Sequence, residues 1–280
     1  MGKVLEEISD KESRFIAESK VFFVATAPLS SDHHVSVSPK APGNSCVVLS
    51  ARDVAYADLT GSGAETAAHV LQNGRMTLLF CNLERGSPQI LRLHGKAELI
   101  LAARVPETLL AKFPDHITSH IGFRAVYRLK VHRISTSCGY SLPQMDFVKY
   151  RSTLDEYTEK AGKAGMFDYV TKKNSYSIDG LPSLALLRED GPMHVEPVVE
   201  DGYIFGKVVV DNVWSSSLPT PTSVTSNALV EARKMHARGR TNRQISGMAA
   251  VWVRFVVLVM TFATGVLVGL YYAPVYKAEV

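Results

Sequence analysis

ILRLHGKAELIL, residues 90–101, changes character at every step. Leu91, Leu93, Gly95, Ala97 and Leu99 fall on one side, and Arg92, His94, Lys96 and Glu98 on the other. A period of two is the mark of a strand with one face on a core and one on solvent. Upstream, residues 21–27, 34–40, 46–50, 54–59 and 75–81 read as further short strands, and residues 122–134 alternate again downstream. Two short helices, 64–72 and 106–113, interrupt the series, and a longer one is predicted over 152–165. Many short strands separated by turn signals define a mainly β domain with helices (α+β), of the barrel or sandwich kind.

The far end of the chain follows different rules. FVVLVMTFATGVLVGLYY, residues 255–272, carries no charge. With residues 248–253 and Arg254 it is long enough to cross a bilayer core, which takes roughly 20 apolar residues. The stretch before it is basic, with Arg233, Lys234, Arg238, Arg240 and Arg243, whereas only Lys277 and Glu279 follow. Short basic flanks stay cytosolic. The sequence therefore predicts a single-pass C-terminal anchor with the N-terminal domain in the cytosol. The weakly charged tail favours the endoplasmic reticulum over the mitochondrial outer membrane. Thr261, Gly265, Gly269 and Ala273 recur at helical spacing, a stripe that permits close helix–helix approach. Residues 214–227, WSSSLPTPTSVTSN, have the composition of a linker. The division is a domain over 1–210, a linker over 211–247, a transmembrane helix over 248–272 and a tail over 273–280.

Charge separates the same parts. The chain carries 31 Lys/Arg and 27 Asp/Glu, a net of +4. That whole excess lies beyond residue 210, which points to an anionic lipid surface against the 233–243 flank and not to nucleic acid. Cys46, Cys81 and Cys138 are odd in number and lack metal-ligand spacing, which fits a reducing compartment.

Two segments could carry chemistry. Residues 58–66, DLTGSGAET, place a glycine-rich turn between a strand and a helix. Backbone N–H groups at such a helix start make an anion site, with Gly61 and Gly63 admitting close approach. Ser62 and Glu65 have capping-box spacing, so Ser62 could equally serve only as a cap. In residues 34–40, alternation puts His34, Ser36, Ser38 and Lys40 on one side of a strand. Two hydroxyls and an ammonium can donate to a phosphate or a ring edge; the alternative is a solvent face of an edge strand. Arg92, His94 and Lys96 form a second basic strand face, and Arg124, Arg128, Lys130 and His132 a third that reads as solvent-facing. No carboxylate or further histidine stands at ligand spacing from His33 and His34, so no metal site is predicted.

In order along the chain, FFVATAPL (22–29), HVSVSPK (34–40), VAYADLTGSGAET (54–66), NGRMTLLFC (73–81), ILRLHGKAEL (90–99), SCGYSLPQM (137–145) and KNSYSIDGLPSL (173–184) resemble the pyridoxamine 5′-phosphate oxidase-like family of flavin-binding split β-barrels. The resemblance implies a six-stranded antiparallel split barrel, a homodimer, and FMN as cofactor with a small-molecule redox substrate. It brings Ser36, Ser38 and Lys40 to the cofactor and sets Thr60, Gly61, Ser62 and Gly63 against its phosphate. The family's true oxidases carry Ser-Arg-Lys in that loop. Gly-Ser-Gly stands here, so either Lys40 or Arg92 supplies the charge or phosphate binding is weak. The Arg-Leu-x-Pro and Glu-Phe-Trp end of the vitamin-producing oxidase is also missing. The function implied is a membrane-anchored FMN-dependent oxidoreductase; the rival is a non-catalytic flavin- or haem-binding dimeric module.

Overall fold

The computed structural model of the chain describes residues 2–189 and 194–208. The strands are β1 (Lys3–Leu5), β2 (Phe22–Thr26), β3 (Ser36–Lys40), β4 (Cys46–Ser50), β5 (Asp53–Leu59), β6 (Arg75–Cys81), β7 (Gln89–Leu101) and β8 (Phe123–Cys138), with a separate hairpin of β9 (Val195–Glu200) and β10 (Tyr203–Val208). The helices are α1 (Asp10–Glu18), α2 (Glu65–Asn73), two single turns α3 (Glu107–Leu110) and α4 (Asp115–Thr118), and α5 (Thr153–Asn174). The seven strands read from alternation are all present, and β1 is an eighth, too short at three residues to show a period.

All eight pair antiparallel in one sheet. The order is β3-β2-β6-β7-β8-β5-β4, with β1 added to β8. The 16-residue β8 organises it: β7 pairs along one edge, while β5 and then β1 share the other. The six-stranded barrel implied by resemblance is corrected to eight strands. Among the described residues the hydrogen-bonded path stays open between β3 and β4, so the barrel is not closed.

Side chains cross that gap. Phe22, Val24, Tyr56, Leu78, Phe80, Leu91, Leu93, Tyr127 and Ile134 belong to one buried core on the sheet's inner face. Phe22 of β2 meets Tyr56 of β5 edge-on across the opening, with ring centroids 5.6 Å apart, while Phe22 stacks on its paired neighbour Phe80 at 5.4 Å and Tyr56 on its paired neighbour Tyr127 at 4.9 Å. Helix α2 covers this core with Ala67 and Val70, and Gly74 ends it in the left-handed conformation that glycine adopts without strain (φ 67°). Alternate residues of β5 and β8, Ala55, Ala57 and Val126, build a smaller core with Phe113 and Ile117 on the opposite face. That is why β5 is buried along nearly its whole length.

The helix predicted over 152–165 runs to Asn174. Gly162 breaks its backbone (φ 62°), but the helix resumes beyond. Helix formation is cooperative once a second turn can pack, and β10 packs on this last part of α5. Among the described residues, no helix is long and apolar enough to cross a membrane. The predicted linker, transmembrane helix and tail (211–247, 248–272 and 273–280) lie outside the described residues.

Candidate functional site

The polar side of residues 36–40 faces inward. On β3, Ser36, Ser38 and Lys40 are half-buried, whereas Val37 and the preceding Val35 are 64% and 69% exposed. Register explains this. Lys40, Ser38 and Ser36 pair with Phe22, Val24 and Thr26 of β2, and paired residues of antiparallel strands share a face. The solvent-face alternative is thus corrected: the valines, not the serines, look out.

Lys40 Nζ donates to Asp58 Oδ1 at 2.6 Å. Arg124 Nε donates to the other carboxylate oxygen at 2.7 Å. Asp58 is 1% exposed and the Arg124 side chain 8%. Burial alone would raise the Asp58 carboxyl; Arg124 and Lys40 beside it outweigh that and hold it below its ordinary value. The ion pair links the terminal strand β3 to β5, one strand in from the other end, so it bridges the opening in the sheet.

Arg124 does more than neutralise Asp58. Its Nη1 donates to Gly61 O at 3.1 Å and to Asn174 Oδ1 at 2.8 Å, and its Nη2 to Gly63 O at 3.3 Å. Asn174 Nδ2 also donates to Gly61 O, at 2.9 Å. Thr60 donates to Gly122 O from both backbone and hydroxyl, each at 2.7 Å. The carbonyls of the 60–63 loop are therefore pulled inward. Among the described residues, the N–H groups of Gly61, Ser62 and Gly63 meet no acceptor. A Cβ at Gly61 would meet nothing within 4 Å, so the loop has open space beside it.

The capping box does not form. Ser62 is exposed, the residue before the helix is Ala64, and the Glu65 carboxylate itself takes the Ala64 N–H at 3.1 Å. Its other oxygen accepts from Ile178 N at 3.3 Å. One turn on, His69 is fully buried, with Nδ1 2.9 Å from Thr26 Oγ1 and Nε2 lacking a partner among the described residues. Burial pushes its pKa down against the pull of the Asp179 and Glu65 carboxylates. Asp179 accepts from His34 Nδ1 at 2.7 Å and His34 N at 2.8 Å, which ties residues 177–181 to the approach of β3.

Lys40 is thus linked to the Thr60–Gly63 loop through Asp58 and Arg124, while Ser36 and Ser38 stand on the same inward face of β3 as Lys40. Arg92 does not join them. It pairs with Leu79 of β6 and Ser135 of β8 on the sheet's other face, where its Nη1 donates to Ser137 Oγ at 3.0 Å. Arg124, read from sequence as solvent-facing, is the buried organiser of the loop; a strand-end bulge at Asp58/Leu59 displaces it from simple alternation. Asn174 left no sequence signal beyond its place in a quoted segment, whereas Glu65 was marked by its capping-box spacing and does accept a backbone N–H at the helix start, though without Ser62. A separate cleft of about 330 Å³, lined by Phe15, Lys20, Cys81, Leu83, Met145 and Phe147 among others, contains none of the predicted site residues.

The fold and loop define a split-barrel domain, and comparison assigns it. Residues 8–138 match the family model described as pyridoxamine 5′-phosphate oxidase. The pyridoxamine 5′-phosphate oxidase family protein ustO of Aspergillus flavus is 33% identical over 205 residues, covering 66% of this chain and 80% of that one. The chain belongs to the pyridoxamine 5′-phosphate oxidase family. Among solved structures, HupZ of Group A Streptococcus is 19% identical, over 45% of this chain and 91% of its own, with a TM-score of 0.34. The FAD binding protein of Mycobacterium smegmatis is 14% identical, over 48% and 93%, with a TM-score of 0.32. Likeness at that level says nothing about ligand or activity here.

Proposed function

We propose that this chain is a flavin-dependent oxidoreductase of its family, acting as a membrane-anchored homodimer on a small-molecule substrate. The observation that carries the reading is the 60–63 loop. Its carbonyls are held inward by Arg124 and Asn174, its N–H groups meet no acceptor among the described residues, and a Cβ at Gly61 would meet nothing within 4 Å. Free N–H donors next to open space suit the polar chain of a flavin. A bound flavin supplies two-electron redox chemistry. The protein's share is to bind and orient: Gly61–Gly63 donate from the backbone, Ser36 and Ser38 from hydroxyls, and Lys40 keeps Asp58 ionised.

The fit is incomplete for one group. Lys40 and Arg124 share the single carboxylate of Asp58, and Glu65 at the start of α2 offsets the one positive charge this leaves, so a phosphate finds hydrogen bonds but no net positive charge. That observation favours the second reading, a non-catalytic flavin- or haem-binding module. Absorption spectra of the full-length protein, after reconstitution with FMN, riboflavin or haem, separate the two. The oxidoreductase reading expects flavin bands that bleach on anaerobic reduction and return with an electron acceptor. A haem band alone, or a flavin that cannot be reduced while bound, overturns it.

The anchor and dimer are argued from the uncharged 255–272 stretch with its basic flank and from family membership. The full chain is expected to stay with membranes through alkaline carbonate and to sediment as a dimer in mild detergent. Release by carbonate contradicts the anchor, and a monomer at micromolar concentration contradicts the dimer.

A further inference from the structure

The start of α2 is already occupied by a charge of the chain's own. A helix N-terminus with free N–H groups attracts an anion. Here the Glu65 carboxylate takes that position, with Oε2 accepting from Ala64 N at 3.1 Å and Oε1 from Ile178 N at 3.3 Å. The surrounding charges do not offset it. Lys40 and Arg124 are balanced in part by Asp58, and Glu65 completes two cations against two carboxylates. His69, four residues along α2, is fully buried with an unpartnered Nε2, and burial favours its neutral form. Asp179, a further carboxylate close enough to act on His69, is held by His34.

A phosphate dianion brought here would lose hydration without meeting net positive charge, and it would face Glu65 directly. An uncharged hydroxylated chain meets better partners: it can accept from Gly61–Gly63 N–H and donate to the Glu65 carboxylate. We infer that Glu65 is a specificity-determining residue, its carboxylate standing where a ligand's anion would bind, so that the site takes a flavin without selecting for the 5′-phosphate. This rests on the flavin reading above and specifies which form of flavin the site accepts.

The test uses the full-length protein and its Glu65→Gln variant, whose amide oxygen can still accept from Ala64 N–H. Riboflavin and FMN are titrated by flavin fluorescence. In parallel, the thermal midpoint of the flavin-free protein is followed in inorganic phosphate against chloride at equal ionic strength. Wild type is expected to bind the two flavins within about threefold of each other. Glu65→Gln should tighten FMN roughly tenfold and riboflavin less than about twofold, because only the dianion senses the removed charge. Phosphate should raise the midpoint of Glu65→Gln more than that of wild type. Glu65→Asp, which keeps the charge, should keep the wild-type flavin ratio and controls for disruption of the turn. A wild-type preference for FMN of about a hundredfold, of the size a charge-assisted phosphate contact brings, overturns the inference. An unchanged flavin ratio and phosphate response in Glu65→Gln overturns it too. If neither flavin binds wild type, the flavin reading fails, and the phosphate response alone still decides whether Glu65 blocks an anion.

Discussion

Asp58→Ala is expected to destabilise the domain by about 3–5 kcal/mol, the scale seen when one member of a buried ion pair is removed and the other left behind. Arg124 cannot escape to water, since its side chain is 8% exposed and its remaining N–H groups are committed to Gly61 O, Gly63 O and Asn174. Lys40, less buried, relaxes more easily. Urea unfolding of wild type and variant measures the loss; a change under about 1 kcal/mol would place the triad with ordinary surface pairs. Acid provides a second readout. The folded Asp58 carboxyl lies below its ordinary value. Its contribution is therefore complete above the unfolded carboxyl value of about 3.9 and fades as pH falls through the lower folded value. Asp58→Asn should flatten the acid limb of the stability curve below about pH 4. Some limb remains, because Asp53, bound by Arg128 and Lys130, is lowered as well.

Gly95→Ala is expected to cost about 3 kcal/mol, the upper range for forced overpacking. A Cβ there would fall 2.1 Å from the Lys130 carbonyl oxygen and 2.8 Å from Leu129 Cδ1. Neither can yield cheaply. Lys130 is in the β7–β8 ladder where its register shifts between His94 and Gly95, and Leu129 is fully buried. Gly61→Ala is the matched control: nothing lies within 4 Å of its Cβ, so its stability should stay within about 0.5 kcal/mol of wild type. Equal losses at the two positions would contradict the packing described for β7 and β8.

Strands announced themselves wherever one face met a core. Leu91 and Leu93 are fully buried and Lys96 and Glu98 exposed, as alternation requires. On β3 the same rule gave the period without its direction. The valines and the serines fell on opposite faces, with the serine face open between ligand and solvent; the register with β2 turns Val35 and Val37 outward and brings Ser36 and Ser38 in. An edge strand has a neighbour on one side only, so local sequence does not settle which face meets the core. Ser62 and Glu65 had capping-box spacing, yet the helix begins after Ala64 and Glu65 closes the turn alone. The site's main organisers come from far along the chain. Arg124 and Asn174 reach Gly61 across 63 and 113 residues, a separation at which periodicity carries no information. The glycine-rich turn was visible in sequence; what holds it in place became visible only with tertiary contacts.

The most direct test of the account is backbone hydrogen exchange of the full-length protein, free and saturated with riboflavin. If a flavin sits where the 60–63 loop opens beside β3, exchange should slow at Gly61, Ser62 and Gly63, whose N–H groups meet no acceptor among the described residues. Slowing should extend to residues 36–40, while the 82–85 and 145–147 segments of the separate cleft stay unchanged. Protection confined to that cleft, or to the Arg92 face of the sheet, with the loop exchanging freely at saturation, would contradict it.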